Sequence, residues 1–461
     1  MKPWQLSRRH FLRSAAAALS GACAFGGVER LAPLGGPWAF AEEGARDDRY
    51  YVFAYFRGGW DILLSLDPRD PRDFGIDRVA ATRIMPGYDL LDGGPRDILR
   101  AADGTPFGPY MGDLIHHWDK MAVVRGMSMN TLTHEVGMRY FLTGRPPAGL
   151  QARGSSAPTV LAGAFGEDHD VPNLAVRVES YNDHSPDHAS ALIVDGVPSL
   201  LDTLRARDPS VSNEELDAIN RLLASHAECD AVEMSRFVQS SEMARQRSQL
   251  VLESNIDRRF DFQARSEDMD AVRDHYGIAA NGTTALTTPA AQAALAATAL
   301  KTGLSRCVSI EMARSLDTHF DNWATDQGPQ QEAGFNALAR LVEDLASSEY
   351  KDTGSSWLDH TVIVGFSEFS RTPMINAAEG RDHSLTNACF VMGGPVRGGR
   401  VIGASSDVGM TPLRMNLTTG QLDPEGTYVS PEHVLRALYV EAGIEDDIAD
   451  LRVDPLLSLF G

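Results

Sequence analysis

The chain has 461 residues, 43% hydrophobic and 23% charged, enough apolar material for one large α/β domain with insertions or for two domains. Its formal net charge of −21 argues against nucleic-acid or anionic-membrane binding through a general basic surface, so any anion site must be a local basic or metal-filled pocket. None of the four cysteines shows metal-type spacing, which argues against a thiolate metal site or a disulfide scaffold.

Residues 1–41 read as a removable leader. Ser7-Arg8-Arg9-His10-Phe11-Leu12 carries a twin arginine ahead of Phe and Leu. An Ala/Gly-rich apolar segment follows over residues 14–28, and Ala39-Phe40-Ala41 offers a small-x-small cleavage site. That order of charged, apolar and cleavage regions is a twin-arginine export signal. It implies a periplasmic or extracellular destination, the twin-arginine machinery as partner, and no transmembrane segment in the mature chain. The leader carries five Lys/Arg and one Asp/Glu, so residues 42–461 stand at −25. Cys23 leaves with it; Cys229 remains, with Cys307 and Cys389 in apolar runs as small buried hydrophobes.

The first predicted strand is residues 50–57, YYVFAYFR, closed by Gly58-Gly59-Trp60 and followed by Asp61. Residues 67–108, rich in Pro, Gly, Asp and Arg, read as a long irregular connection. A helix over 111–118 leads to a strand over 121–126. Thr131 or Thr133 then opens a helix that runs to about Leu142 and stops at Thr143-Gly144, with His134 beside them. A hydroxyl there is usually an N-cap, but a helix N-terminus also favours an alkoxide or a bound anion.

Residues 172–179 form another strand candidate, and 211–262 read as an inserted helical hairpin. A helix over 289–302 precedes a buried strand over 306–312, and Asp317-Thr318-His319 follows it. Asp-x-His beyond a strand is a metal signal, because both side chains can converge on one ion. After a helix over 330–347, the run 361–366 is short, β-branched and fully apolar, ending at Ser367-Glu368. Arg381-Asp382-His383 and a second buried run, 388–392, come next, and an amphipathic helix over 430–443 closes the pattern.

Each acid, hydroxyl or imidazole thus falls at the carboxyl end of a predicted strand or on the loop after it, where open α/β sheets bind ligands. Convergent carboxylates and imidazoles without cysteine suit Mn, Zn, Mg, Ca or Fe. The expected cluster is Asp61, Asp317, His319, Glu368 and His383, with Asp382 as a possible further ligand. Carboxylates that close repel one another, so raised carboxylate pKa values are expected without an ion.

Several segments resemble the exported branch of the alkaline phosphatase/sulfatase superfamily known as domain of unknown function 1501. They are Arg57-Gly58-Gly59-Trp60-Asp61, Thr133-His134 with Leu142-Thr143-Gly144, Asp317-Thr318-His319, Ser367-Glu368-Phe369-Ser370-Arg371-Thr372, Gly380-Arg381-Asp382-His383, and Gly398-Gly399-Arg400-Val401-Ile402-Gly403. The resemblance implies a doubly wound, mostly parallel α/β domain over residues 42–461, with the helical insertion at about 211–265. It also implies one or two divalent ions (Zn, Mn, Mg or Ca) and cleavage of phosphate or sulfate esters of a small molecule or polymer. Asp61 would be the first-strand ligand, Thr133 (or Thr131) the nucleophile beside His134, and Asp317, His319 and His383 one metal's set. Glu368 would take the second-site position. Two departures from the phosphatase pattern stand out: Glu368-Phe369 replaces an Asp-His pair, and Asp317-x-His319 is closer-spaced than usual, with Asp321 at the wider position. A catalytically silent binding or surface-assembly protein is the alternative.

Overall fold

The computed structural model describes residues 48–205, 212–227, 236–444 and 447–460, and in it the apolar runs gather into one eight-stranded sheet. In chain order the strands are β1 (Tyr50–Phe56), β2 (Met121–Ser128), β3 (Asn173–Val176), β4 (Leu192–Val194), β5 (Cys307–Ala313), β6 (Thr361–Phe366), β7 (Thr386–Gly393) and β8 (Arg400–Ile402). Across the sheet they lie in the order β8-β2-β7-β6-β1-β5-β3-β4. Only β7 opposes its neighbours, β2 and β6; every other pairing is parallel. The protein is therefore mixed α/β with a mostly parallel sheet, and the four runs expected to share a sheet do so.

β1 shows why the sheet sits in the middle. All seven of its residues are buried, because both of its faces are covered. Tyr50, Val52, Ala54 and Phe56 pack with Ala293, Leu300, Phe335 and Leu338, from the helices Pro289–Lys301 and Gly328–Ser347. Tyr51, Phe53 and Tyr55 pack with Phe141, Leu161 and Leu438, from His134–Thr143, Ala157–Phe165 and Pro431–Glu441. Under the strand end, the Phe56 ring lies 4.7 Å from Phe335 and 5.1 Å from Trp60. Such pairs each add about 0.5–1.5 kcal/mol beyond their area burial and stiffen the floor on which the following turn stands.

The register sends five chain segments to one edge of the sheet. β1, β2, β5 and β6 all end there, and Thr386 of β7 starts opposite Ser128 of β2. The expected long connection, 67–108, is mostly turns, with a short helix, Val79–Thr82, and one two-residue pairing, Leu99–Arg100 with Pro106–Phe107. Within the expected insertion lie the helices Asn213–Ala227 and Arg236–Ser254, while Val211 and the segment joining the two lie outside the described residues. The leader and Cys229 also lie outside them. Among the described residues no helix is long and apolar enough to cross a membrane. Cys307 and Cys389 are buried free thiols, and burial pushes the Cys389 thiol up to about 12.

Candidate metal centre

The site is built on close backbone approaches. At the end of β1, Gly58 turns with φ +112, and a Cβ there would lie 2.6 Å from the Leu316 nitrogen. Its amide donates to Glu368 Oε1 at 2.9 Å, so the turn after β1 is fastened to the carboxylate after β6. Gly137 does the same for the helix His134–Thr143: a Cβ at this position would lie 2.3 Å from the Glu368 carbonyl oxygen. The first turn of that helix therefore lies against Glu368 and brings His134 over it.

Three imidazoles converge on one carboxylate oxygen. Asp317 Oδ1 lies 3.1 Å from His319 Nε2, 3.4 Å from His134 Nε2 and 3.5 Å from His383 Nε2. In each ring the other nitrogen is already engaged. His134 Nδ1 lies 2.7 Å from Glu368 Oε1, His319 Nδ1 lies 3.0 Å from Asp382 Oδ1, and His383 Nδ1 lies 2.6 Å from the Leu132 carbonyl. Those partners are acceptors, so the Nδ1 atoms donate and each ring turns its Nε2 toward Asp317. His319 Nε2 and His383 Nε2 are only 2.9 Å apart, and His134 Nε2 is buried without a hydrogen bond. One cation already faces these groups, because the Arg371 guanidinium donates to Asp317 Oδ1 at 2.7 Å and to His319 Nε2 at 3.3 Å. Carboxylate or carbonyl partners on the far nitrogen are also what metal-ligating histidines use to fix their tautomer. His134, Asp317 and His383 offer ligand atoms that all lie within 4.8 Å of one another, and the donor set fits a divalent ion.

Of the nine residues singled out from sequence, six join this arrangement. Asp317, His319 and His383 are at its centre, and His134, expected beside the nucleophile, aims a ring nitrogen into it. Glu368 and Asp382 orient imidazoles. Asp61 does something else. It is fully buried, its Oδ2 forms an ion pair with Arg381 Nε at 2.9 Å and accepts from Trp323 Nε1 at 2.8 Å, and its Oδ1 accepts from the Leu63 amide. The expected first-strand ligand is thus committed to Arg381, because a buried carboxylate beside a buried guanidinium is neutralised where it stands. Thr133 is the N-cap residue, but its hydroxyl is exposed and makes no cap bond; Thr131 Oγ1 accepts from the Thr133 amide. Neither hydroxyl bonds to the cluster.

In the sequence Arg371 stands out only as part of the Ser367–Thr372 segment, with no role of its own. Its side chain is buried; Nε donates to the Gly59 carbonyl at 2.9 Å, Nη2 to the Gly58 carbonyl, and Nη2 also to Asp317 Oδ1 at 2.7 Å. This explains why Asp317 is not raised as expected. Partial burial works against ionised Asp317, but the Arg371 hydrogen bond and charge, with the neighbouring imidazoles, outweigh it and hold the carboxyl at about 2. A hydrogen bond to His319 likewise lowers Asp382. Burial depresses His383, helped by Arg371 and His134. Burial also opposes the charged form of His134, yet the Glu368 bond and charge raise it.

The family model described as "Protein of unknown function (DUF1501)" matches residues 52–425. The chain belongs to this family. The DUF1501 match spans every residue of the centre, from His134 to His383. No curated protein matches the chain. Among solved structures, one similar chain is Ps i-CgsB in complex with k-i-k-neocarrahexaose, at 9% identity and TM-score 0.35, over 89% of this chain and 75% of that one. Two others are the alkaline phosphatase of the Antarctic bacterium TAB5 and a mutant of it with Mg bound in the M3 site. Each has 9% identity and TM-score 0.29, over 77% of this chain and 94% of the other.

Proposed function

We propose that this DUF1501 protein is an exported, metal-dependent hydrolase of phosphate or sulfate esters on a doubly wound, alkaline phosphatase-like domain. Residues 1–41 would be its twin-arginine signal and residues 42–461 the exported domain. The observation that carries the reading is the convergence of three Nε2 atoms on Asp317, each ring fixed from behind by Glu368, Asp382 or the Leu132 carbonyl. One or two divalent ions held there by His134, Asp317, His319 and His383 would act as Lewis acids on the ester. The chain's own groups supply the rest. Arg371 keeps Asp317 ionised at any working pH, Glu368 fixes the His134 ring, and Thr133 presents a free hydroxyl at the helix N-terminus as the nucleophile.

A catalytically silent binding or surface-assembly protein is the second reading, favoured by the lack of any bond from the Thr133 or Thr131 hydroxyl to the cluster. Reconstitution with Zn, Mn, Mg or Ca, metal analysis, and assays on phosphate and sulfate monoesters and diesters separate the two. The hydrolase reading expects bound metal and turnover. Metal without turnover on any ester leaves the second, and a protein that takes up no metal refutes the metal-dependent hydrolase.

A further inference from the structure

A cavity of about 290 Å³ opens beside the centre, and His134, Asp317 and Glu368 line one side of it. Three arginines from three strand ends also line it: Arg57 after β1, Arg177 after β3 and Arg314 after β5. All three crowd one carboxylate. Glu311, 1% exposed, lies 3.1 Å from Arg314 Nε, 3.7 Å from Arg57 Nη1 and 3.9 Å from Arg177 Nη1, and neither of its oxygens accepts a hydrogen bond. One buried charge thus gathers three guanidiniums and leaves two of them uncompensated, in a chain whose net charge is −21.

The geometry keeps Arg57 and Arg314 available, while Arg177, its side chain 12% exposed, donates through Nη1 to the Thr287 carbonyl at 3.2 Å. The Arg57 and Arg314 side chains are 59% and 60% exposed, so Glu311 anchors them without enclosing them. Arg177 has φ +58, a left-handed conformation that costs a non-glycine residue energy and persists only where the surroundings impose it. Of the acids lining the cavity, Glu179 pairs with Arg139 at 3.1 Å, Asp317 with Arg371 and Glu368 with His134, leaving Glu135 as the one that faces the arginines without an ion pair.

We propose that Arg57, Arg177 and Arg314 form a second anion subsite. The substrate is then a polyanionic ester, with one phosphate or sulfate at the metal and another anionic group in the arginine pocket. This rests on the ester reading above for the first group only. Guanidinium forks match the planar or tetrahedral oxygens of such a group, and several acting together discriminate well between mono- and polyanions.

The test is calorimetric titration of the metal-loaded full chain with α,ω-alkane disulfates of increasing length and with the matching alkyl monosulfates, probes that need not be turned over. At least one disulfate is expected to bind about tenfold or more tightly than its monosulfate. The double variant Arg57→Gln/Arg314→Gln should lose that preference while the folded protein keeps monosulfate affinity and metal content. Equal affinity for both probe types, or a preference that survives the double variant, overturns the proposal. A preference that behaves as expected in a protein that cleaves no ester would leave the subsite standing and remove the hydrolase reading instead.

Discussion

Nδ1 of His134 lies 2.7 Å from Oε1 of Glu368, and that carboxylate is wholly buried at the end of the strand beside β1. The same Oε1 accepts the Gly58 amide, and Oε2 accepts the Ser367 hydroxyl. Glu368 is therefore not a free ligand waiting for an ion. It is the joint that ties the β1 turn, the β6 loop and the His134 helix together, and through the ring it decides which nitrogen faces Asp317.

Glu368→Gln keeps the shape of that joint and removes its charge. Losing such a partner behind a ligating imidazole typically costs about 10–100-fold in metal affinity. We expect a loss of that size in competition with a chelator, at an unchanged number of metal ions per folded chain. An affinity equal to the wild type would mean that His134 does not serve the metal.

Asp61 leads to the opposite expectation. Asp61→Asn leaves Arg381 buried without a counter-charge. Its remaining partners are the Thr372, Met85 and Pro86 carbonyls and the Trp323 ring, whose centre lies 4.7 Å from the guanidinium. Breaking a buried pair from one side costs roughly 3–5 kcal/mol. Denaturant unfolding should show a loss of that order, and the folded fraction should still bind metal normally. A variant of wild-type stability that has lost its metal would restore Asp61 as a ligand.

The contrast between these two acids shows what the sequence could and could not disclose. Continuous apolar runs such as 361–366 and 50–56 are buried on both faces, and that pattern survives folding unchanged, so the central strands were legible. β4 and β8 have three residues each, too few for a period to register. Asp317-x-His319 and Asp382-His383 were legible as site residues because neighbours in the chain stay neighbours in space. The partner of Asp61 lies 320 residues away, and its Arg381 reads in sequence as one more loop arginine. The same holds for Arg371 and for the Leu132 carbonyl. These groups were invisible because nothing local marks which long-range contact a charged or backbone group will make.

The Glu311 carboxyl provides a pH signature. Burial raises its pKa above the ordinary value, more than Arg314, Arg57 and Arg177 lower it. An acid whose folded pKa is raised holds its proton more tightly in the fold than in the unfolded chain. Its contribution to stability is therefore greatest at low pH and falls as pH rises through the ordinary value, about 4.3, toward the raised one. Glu311→Gln should remove this slope, so the stability of the wild type relative to the variant declines as pH rises across that window. Melting temperatures of both, measured metal-free at matched salt, check it. A difference that stays constant or grows with pH would show that the arginines win and Glu311 is charged at no cost.

The hydroxyl decides between enzyme and binding protein, and the structure makes its test unusually clean. An N-cap Thr replaced by Ala normally costs about 1 kcal/mol, because a helix amide loses its acceptor. Thr133 occupies the cap position of the helix His134–Thr143, but its side chain accepts no helix amide, so that cost should be absent. A change in melting temperature therefore cannot be confused with a change in chemistry. Thr133→Ala is expected to abolish ester turnover while leaving metal content and thermal midpoint as they were. Thr131→Ala is the control: its hydroxyl accepts the Thr133 amide at 3.2 Å, so its loss frees that amide but should leave turnover measurable. Turnover that persists in Thr133→Ala and vanishes in Thr131→Ala would move the nucleophile by two residues. Persistence in both single variants and in the double variant would exclude a threonine nucleophile and leave the attack to water at the same imidazole-lined centre.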